Sequence, residues 1–202
     1  MRVFVLCTGR SGSAGFYYAC KHIENFSSGH ESLAIDFDHR LEFDQDHIEI
    51  DNRLSWFLGS LDVEYGAEPI YVHLIRDKEA TVNSFLKRWS NRGGIISAFS
   101  EGILKTPPEK LSLDQKRKVC ELYYDTVNQN IEFFLESKPN KMTIELENVQ
   151  TGFRNFWERI GATGNLEAAL KEFEVKHNDS NSLKSDFLYK IKLFIKRTLN
   201  SK

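Results

Sequence analysis

Short apolar runs alternate along this chain with longer segments in which apolar residues recur every three or four positions. Val3 to Cys7 is the first run, with the β-branched and aromatic content of a buried strand. After it, Phe16, Ala19, Cys20 and Ile23 fall at helical spacing, which predicts a helix from about Ala14 that ends near Phe26, before Ser27-Ser28-Gly29. From His30-Glu31 to Asp46 the periodicity is weak, and the stretch reads as a loop. Ile50, Leu54, Phe57, Leu58 and Leu61 predict one face of a second helix, broken off by Glu68-Pro69. Ile70 to Ile75 is a second clear strand, followed by Arg76-Asp77. Asp77 is placed to cap a helix whose inner face is Val82, Phe85, Leu86 and Trp89.

A Gly- and Pro-containing connection then covers 91–110, long enough to act as a lid or an acceptor loop. Ser112 with Gln115 is a capping-box signature. It opens the longest helix, with Val119, Leu122, Tyr123, Thr126, Val127 and Phe134 on one side and Pro139-Asn140 as its stop. Met142 to Leu146 alternates apolar and polar and predicts a third strand. The next helix carries Val149, Phe153, Phe156, Trp157 and Ile160 and is closed by Gly161. Leu166, Ala169, Leu170 and Phe173 predict a short helix, 177–182 a polar linker, and 183–202 a basic C-terminal helix.

Strands alternating with helices predict an α/β fold of three layers, P-loop-like, with a mostly parallel central sheet and helices on both faces. All 202 residues are expected to form a single domain. In such sheets ligands lie beyond the carboxyl ends of the strands. That rule puts the loop after Cys7 and Arg76 on one edge, and His30 joins them if a short strand precedes it.

Composition narrows the picture. The net charge of −2 gives no overall pull toward nucleic acid, and no stretch approaches a membrane span. Three cysteines, without metal-ligand spacing, fit a reducing compartment, and a cytoplasmic location is the expectation. No structural or catalytic metal is expected either.

The chemistry concentrates after the first strand, in Thr8-Gly9-Arg10-Ser11-Gly12-Ser13. Two glycines allow a ligand close to the main chain, loop N–H groups and a helix N-terminus favour an anion, and Arg10 adds a fork of donors suited to phosphate or sulfate. It is not a Walker A loop, which requires a lysine. Taken alone, the same residues also suit a plain strand-to-helix turn. A second anion site is available where Arg76 closes a strand and Ser84 follows eight positions later on a helix. Arg76 could equally pair with Asp77 or another carboxylate. His73, inside a strand, reads as a core histidine.

Taken together, Thr8 to Ser13 and Leu74-Ile75-Arg76-Asp77 with Ser84 resemble the sulfotransferase family, enzymes that use 3′-phosphoadenosine 5′-phosphosulfate. The first stretch is similar to the family's 5′-phosphosulfate loop and the second to its 3′-phosphate motif. Ile144 to Val149 is similar to a further strand-to-helix region of the family. The resemblance spans about residues 1–160. No counterpart is found of the Gly-rich, lysine-containing C-terminal segment of the animal cytosolic members.

The resemblance implies transfer of a sulfuryl group to a hydroxyl or amine of a small-molecule or carbohydrate acceptor. Thr8, Gly9, Arg10, Ser11, Gly12, Ser13, Arg76 and Ser84 would bind the nucleotide. Arg10 would neutralise the leaving phosphate, with the N–H groups of Gly12 and Ser13 beside it. Glu31 would be the general base, with His30 the alternative, since several members keep a carboxylate or a histidine there. The acceptor would lie between 32–46 and the 91–110 segment. Two other classes stay open: a P-loop kinase or nucleotide hydrolase, and a catalytically inactive nucleotide-binding protein.

Overall fold

The computed structural model describes residues 1–89, 94–175 and 177. The expected basic helix over 183–202 lies outside the described residues.

Five parallel strands form one sheet in the order β2-β3-β1-β4-β5. They are β1 (Arg2–Leu6), β2 (Ser27–His30), β3 (His47–Ile50), β4 (Ile70–Ile75) and β5 (Lys141–Glu145). The helices are α1 (Ser13–Cys20), α2 (Leu58–Tyr65), α3 (Lys78–Leu86), α4 (Ile95–Ala98), α5 (Leu113–Glu136), α6 (Val149–Arg159) and α7 (Leu166–Lys171).

Alternation along β1 divides the interior in two. Val3, Val5 and Cys7 face one layer, where Phe16 of α1 packs on Phe153 and Phe156 of α6, with Leu170 of α7 in the same cluster. Phe4 and Leu6 face the other, made by Leu61 of α2, Val82 and Phe85 of α3, and Tyr123, Val127 and Ile131 of α5. Both faces of β1 are covered, so after Arg2 its sequence is a continuous apolar run. Each fully buried aromatic here contributes about 1.5–3 kcal/mol of burial free energy.

The sheet order positions the site. From β1 the chain passes through α1 to β2, on the far side of β3. From β4 it passes through α3 and α5, on the opposite face, to β5. Neighbouring strands β1 and β4 therefore send their chains apart, and the crevice beyond their carboxyl ends is where open α/β sheets bind ligands.

Three expectations are corrected. The helix expected from Ile50 to Leu61 is a strand, a 3₁₀ turn (Asn52–Trp56) and a short helix, and Ile50 ends β3. The pattern hid this strand because Glu49, at the centre of it, is fully buried, held by His47 at 3.0 Å and by Ser32. The first helix stops at Cys20 rather than near Phe26, because Ile23 bridges to Gly164 and leaves the helical path. On α5 the buried stripe runs through Cys120, Tyr124, Asn128 and Leu135 besides the expected Val119, Tyr123 and Val127, while Leu122 is exposed.

Elsewhere the local signatures hold. Asp77 caps α3 through Ala80 N at 2.8 Å, and Ser112 and Gln115 form the reciprocal capping box. Gly161 follows α6 at φ 62°. The described part of the 91–110 connection is largely helical, with a π-helical turn over Phe99–Ile103 and Trp89 Nε1 donating to Pro108 O at 3.1 Å. His73 is buried and shares a 2.9 Å hydrogen bond with Asn128 Oδ1, and burial pulls its pKa below the ordinary histidine value. No helix among the described residues is long and apolar enough to cross a membrane.

One buried hydrogen bond ties the second layer to the end of β1. Tyr123, fully buried in α5, donates its hydroxyl to Thr8 O at 2.8 Å. Tyr123→Phe should cost about 1–3 kcal/mol in denaturant unfolding, because the Thr8 carbonyl is left buried without its donor. A loss below about 0.5 kcal/mol would mean that this bond does not anchor the loop.

Candidate functional site

The loop after β1 turns on left-handed backbone. Gly9, Arg10 and Gly12 have φ of 77°, 58° and 89°. The positive φ calls for glycine at 12, and a side chain there would also have to push aside the tip of Leu146. Arg10 adopts this conformation despite its Cβ, at a cost of about 1–2 kcal/mol. Its side chain is directed across to α3, where Nε donates to Ser84 Oγ at 3.0 Å. Arg76 reaches back from the end of β4, and its Nη1 donates to Arg10 O at 3.1 Å. The loop, Arg76 and Ser84, far apart in sequence, thus meet between β1 and β4. Ser84 is bonded to Arg10 rather than to Arg76, so Arg10 stands between the two predicted anion sites.

The 144–149 stretch joins them. Leu146 lies against Gly12, and Glu147 Oε1 accepts from Asp77 N at 3.0 Å. All three stretches that carry the resemblance are in contact.

Arg10 and Arg76 stand together in the crevice, with Asp77 and Glu147 beside the end of β4. Burial, with Arg88 and Arg76 nearby, pulls the Arg10 guanidinium down to about 10, and it stays a cation at neutral pH. Arg10 and Arg76 make no ion pair among the described residues, so the expected alternative of an Arg76–Asp77 pair does not occur. Helix α1 has no side-chain cap, a property it shares with α2, α4 and α6. The N-terminus of α1 and the guanidinium groups of Arg10 and Arg76 share this edge, a setting whose donors favour a negative charge.

His30 and Glu31 come out on the same edge, at the end of β2. His30 Nε2 lies 3.3 Å from Ser13 Oγ and its ring stacks on Tyr17. Glu31 also has left-handed backbone, at φ 52°. Its carboxylate is held on both oxygens: Asn52 Nδ2 donates to Oε1 at 2.7 Å, and Arg53 Nη1 pairs with Oε2 at 2.5 Å. Asp51, just before them, is fully buried, receives Arg40 at 2.6 Å, and is pushed up to about 6, chiefly by burial. Cys7, beneath the loop, is raised to about 11 by burial and is a neutral thiol, not a nucleophile. Among the described residues no group of three or more His, Cys, Asp or Glu side chains is arranged to hold a metal ion.

The sequence reading found the loop, Arg76, Ser84, His30 and Glu31. It missed Asn52 and Arg53, which follow the strand it did not see. It also missed Arg88, although four residues after Ser84 is one helical turn and a shared face.

Comparison with protein-family models, with curated proteins and with solved structures finds no match to this chain.

Gathered like charges cost the folded protein stability, and a bound anion offsets that cost. Millimolar pyrophosphate at constant ionic strength should therefore raise the melting temperature of the native protein. Arg10→Met should lose most of that gain while melting no earlier than the native protein without the anion. Equal gains in both proteins would show that the anion binds elsewhere.

Proposed function

We propose that the protein is a sulfotransferase that moves a sulfuryl group from 3′-phosphoadenosine 5′-phosphosulfate to a hydroxyl or amine. What supports this reading is the union of two separate arginine sites. Arg10 on the loop and Arg76 at the end of β4 meet through Ser84 and the Arg10 carbonyl, and neither has a carboxylate partner among the described residues. A nucleotide with a 5′-phosphosulfate and a 3′-phosphate needs two cationic sites one ribose apart. A 5′-monophosphate needs one.

In this reading the acceptor oxygen or nitrogen attacks sulfur in line, and the bond from sulfur to the bridging oxygen of the phosphosulfate breaks. Negative charge grows on the leaving phosphate. Arg10 and the N–H groups of Gly12 and Ser13 stabilise it, and the proton from the acceptor passes to Glu31. Glu31, fixed by Asn52 and Arg53, would approach the sulfur from the acceptor side. His30, against Ser13, would border the same reaction centre. The cytoplasm is the proposed compartment, in keeping with three free cysteines.

The nucleotide test separates this from the kinase and hydrolase reading. Adenosine 3′,5′-bisphosphate should stabilise the protein by about 2.7 kcal/mol at a hundredfold excess over its Kd, and at equal concentration more than AMP or ATP does. The advantage over AMP should shrink in Arg76→Ala. Equal stabilisation by adenosine 3′,5′-bisphosphate and AMP, or ATP turnover that requires Mg²⁺, would overturn the proposal.

For the chemical step, Glu31→Gln should bind adenosine 3′,5′-bisphosphate normally and transfer the sulfuryl group roughly 10²–10⁴ times more slowly. Full activity in that variant, with loss in His30→Gln, would give the proton to His30.

A further inference from the structure

We propose that Asn52 is a positioning residue through which occupation of the 9–13 loop is transmitted to the Glu31 carboxylate. The inference rests on the sulfuryl-transfer reading and adds to it a residue that the sequence motifs did not include. Asn52 opens the 3₁₀ turn after β3 and is buried. Its side chain lies against the loop: a Cβ on Gly9 would meet Asn52 Cγ at 3.4 Å. From there Nδ2 donates to Glu31 Oε1 at 2.7 Å. The same amide therefore stands beside Gly9 and bonds the carboxylate, while His30 gives a second route from Ser13 of the loop to the 30–31 segment.

Two further observations fit a transmitting role better than a packing one. Asn52 Oδ1 is buried and has no hydrogen-bond partner in the structure. Buried acceptors are normally satisfied, so this end of the amide is poised to take up a different contact when its surroundings shift. Second, the two oxygens of Glu31 are held from different residues. Arg53 Nη1 approaches Oε2 as an ion pair without a hydrogen bond of its own, and Asn52 Nδ2 donates to Oε1. A displacement of Gly9 by a bound phosphosulfate moves Asn52, and Oε1 follows while Oε2 stays paired. The carboxylate then turns about its Arg53 contact and changes which lone pair faces the acceptor.

The groups that act electrostatically on or with Glu31 are Arg53 and Asp51 from the β3 end, Cys7 beneath the loop and Tyr123 from α5. Bound phosphates would add a direct charge effect to theirs. A test must therefore separate charge from contact.

The experiment follows the ¹³C carboxyl signal of Glu31 through a pH titration of the full chain, assigned with Glu31→Gln. It is run with and without adenosine 3′,5′-bisphosphate, in the native protein, in Asn52→Ala and in Asn52→Asp. In the native protein the nucleotide should move the Glu31 midpoint. In Asn52→Ala the nucleotide still binds, and the response should fall by at least about half, leaving a remainder that fades with added salt as a pure charge effect does. Asn52→Asp keeps the shape but replaces the donor with an anion, and should raise the Glu31 midpoint in the free protein as a like-charge neighbour does. An undiminished response in a folded Asn52→Ala protein, or nucleotide binding with no response in the native one, overturns the role of Asn52 and leaves the sulfuryl-transfer reading standing. Failure of the native protein to bind the nucleotide removes both.

Discussion

Strands β1 and β4 are hydrogen-bonded neighbours, Val3 against Ile70 and Leu6 against His73, yet the chain leaves them toward opposite faces of the sheet. Everything at the candidate site depends on that parting. It leaves room at one sheet edge for a tight left-handed loop. It also lets Arg76 reach the main chain of that loop from the next strand. Tyr123, from the layer below, fixes the loop at Thr8. Without the buried aromatic packing that holds α1 and α5 on their separate faces, the crevice would close and the arginines would have no reason to face each other.

The same arrangement carries a cost. Arg10 and Glu31, two of the four non-glycine residues with positive φ among the described residues, are both candidate reactive groups. Backbone strain of that kind persists only where the surroundings over-determine it. Here they do: Arg10 is tied through its side chain to Ser84 and through its carbonyl to Arg76, and Glu31 is tied to Asn52 and Arg53. A fold optimised for stability alone would have relaxed these positions and spread the arginines. Strain and concentrated charge coincide at this edge, and that coincidence is what makes it the candidate site.

Which parts were legible in the sequence follows from how local their causes are. β1 and β4 announce themselves because their apolar runs are the direct result of burial between layers, and β5 because its residues alternate apolar and polar. The phosphate-type loop is readable because glycine and serine are required by its own backbone. β2 and β3 are not readable in this way. Ser27-Ser28-Gly29-His30 has no β propensity to speak of, and it is a strand only because β3 lies beside it. β3 in turn buries Glu49, a residue that pattern reasoning assigns to the surface. Missing those two strands concealed the Asn52-Arg53 turn that they place beside Glu31. It did not conceal Arg10, Arg76 or Ser84, whose positions follow from strands that were seen.

The order β2-β3-β1-β4-β5 also determines what the sheet shows at its two margins. An open parallel sheet leaves an unpaired ladder on each outer strand, and such ladders recruit other chains into aggregates. β2 is four residues long, and β5 alternates exposed Lys141, Thr143 and Glu145 with its buried apolar position Ile144. One margin is too short to template a partner, and the other presents a row of polar and charged groups that repels one. The shortness that helped to hide β2 from pattern reading thus has a second consequence: it leaves this margin little ladder on which another strand could pair.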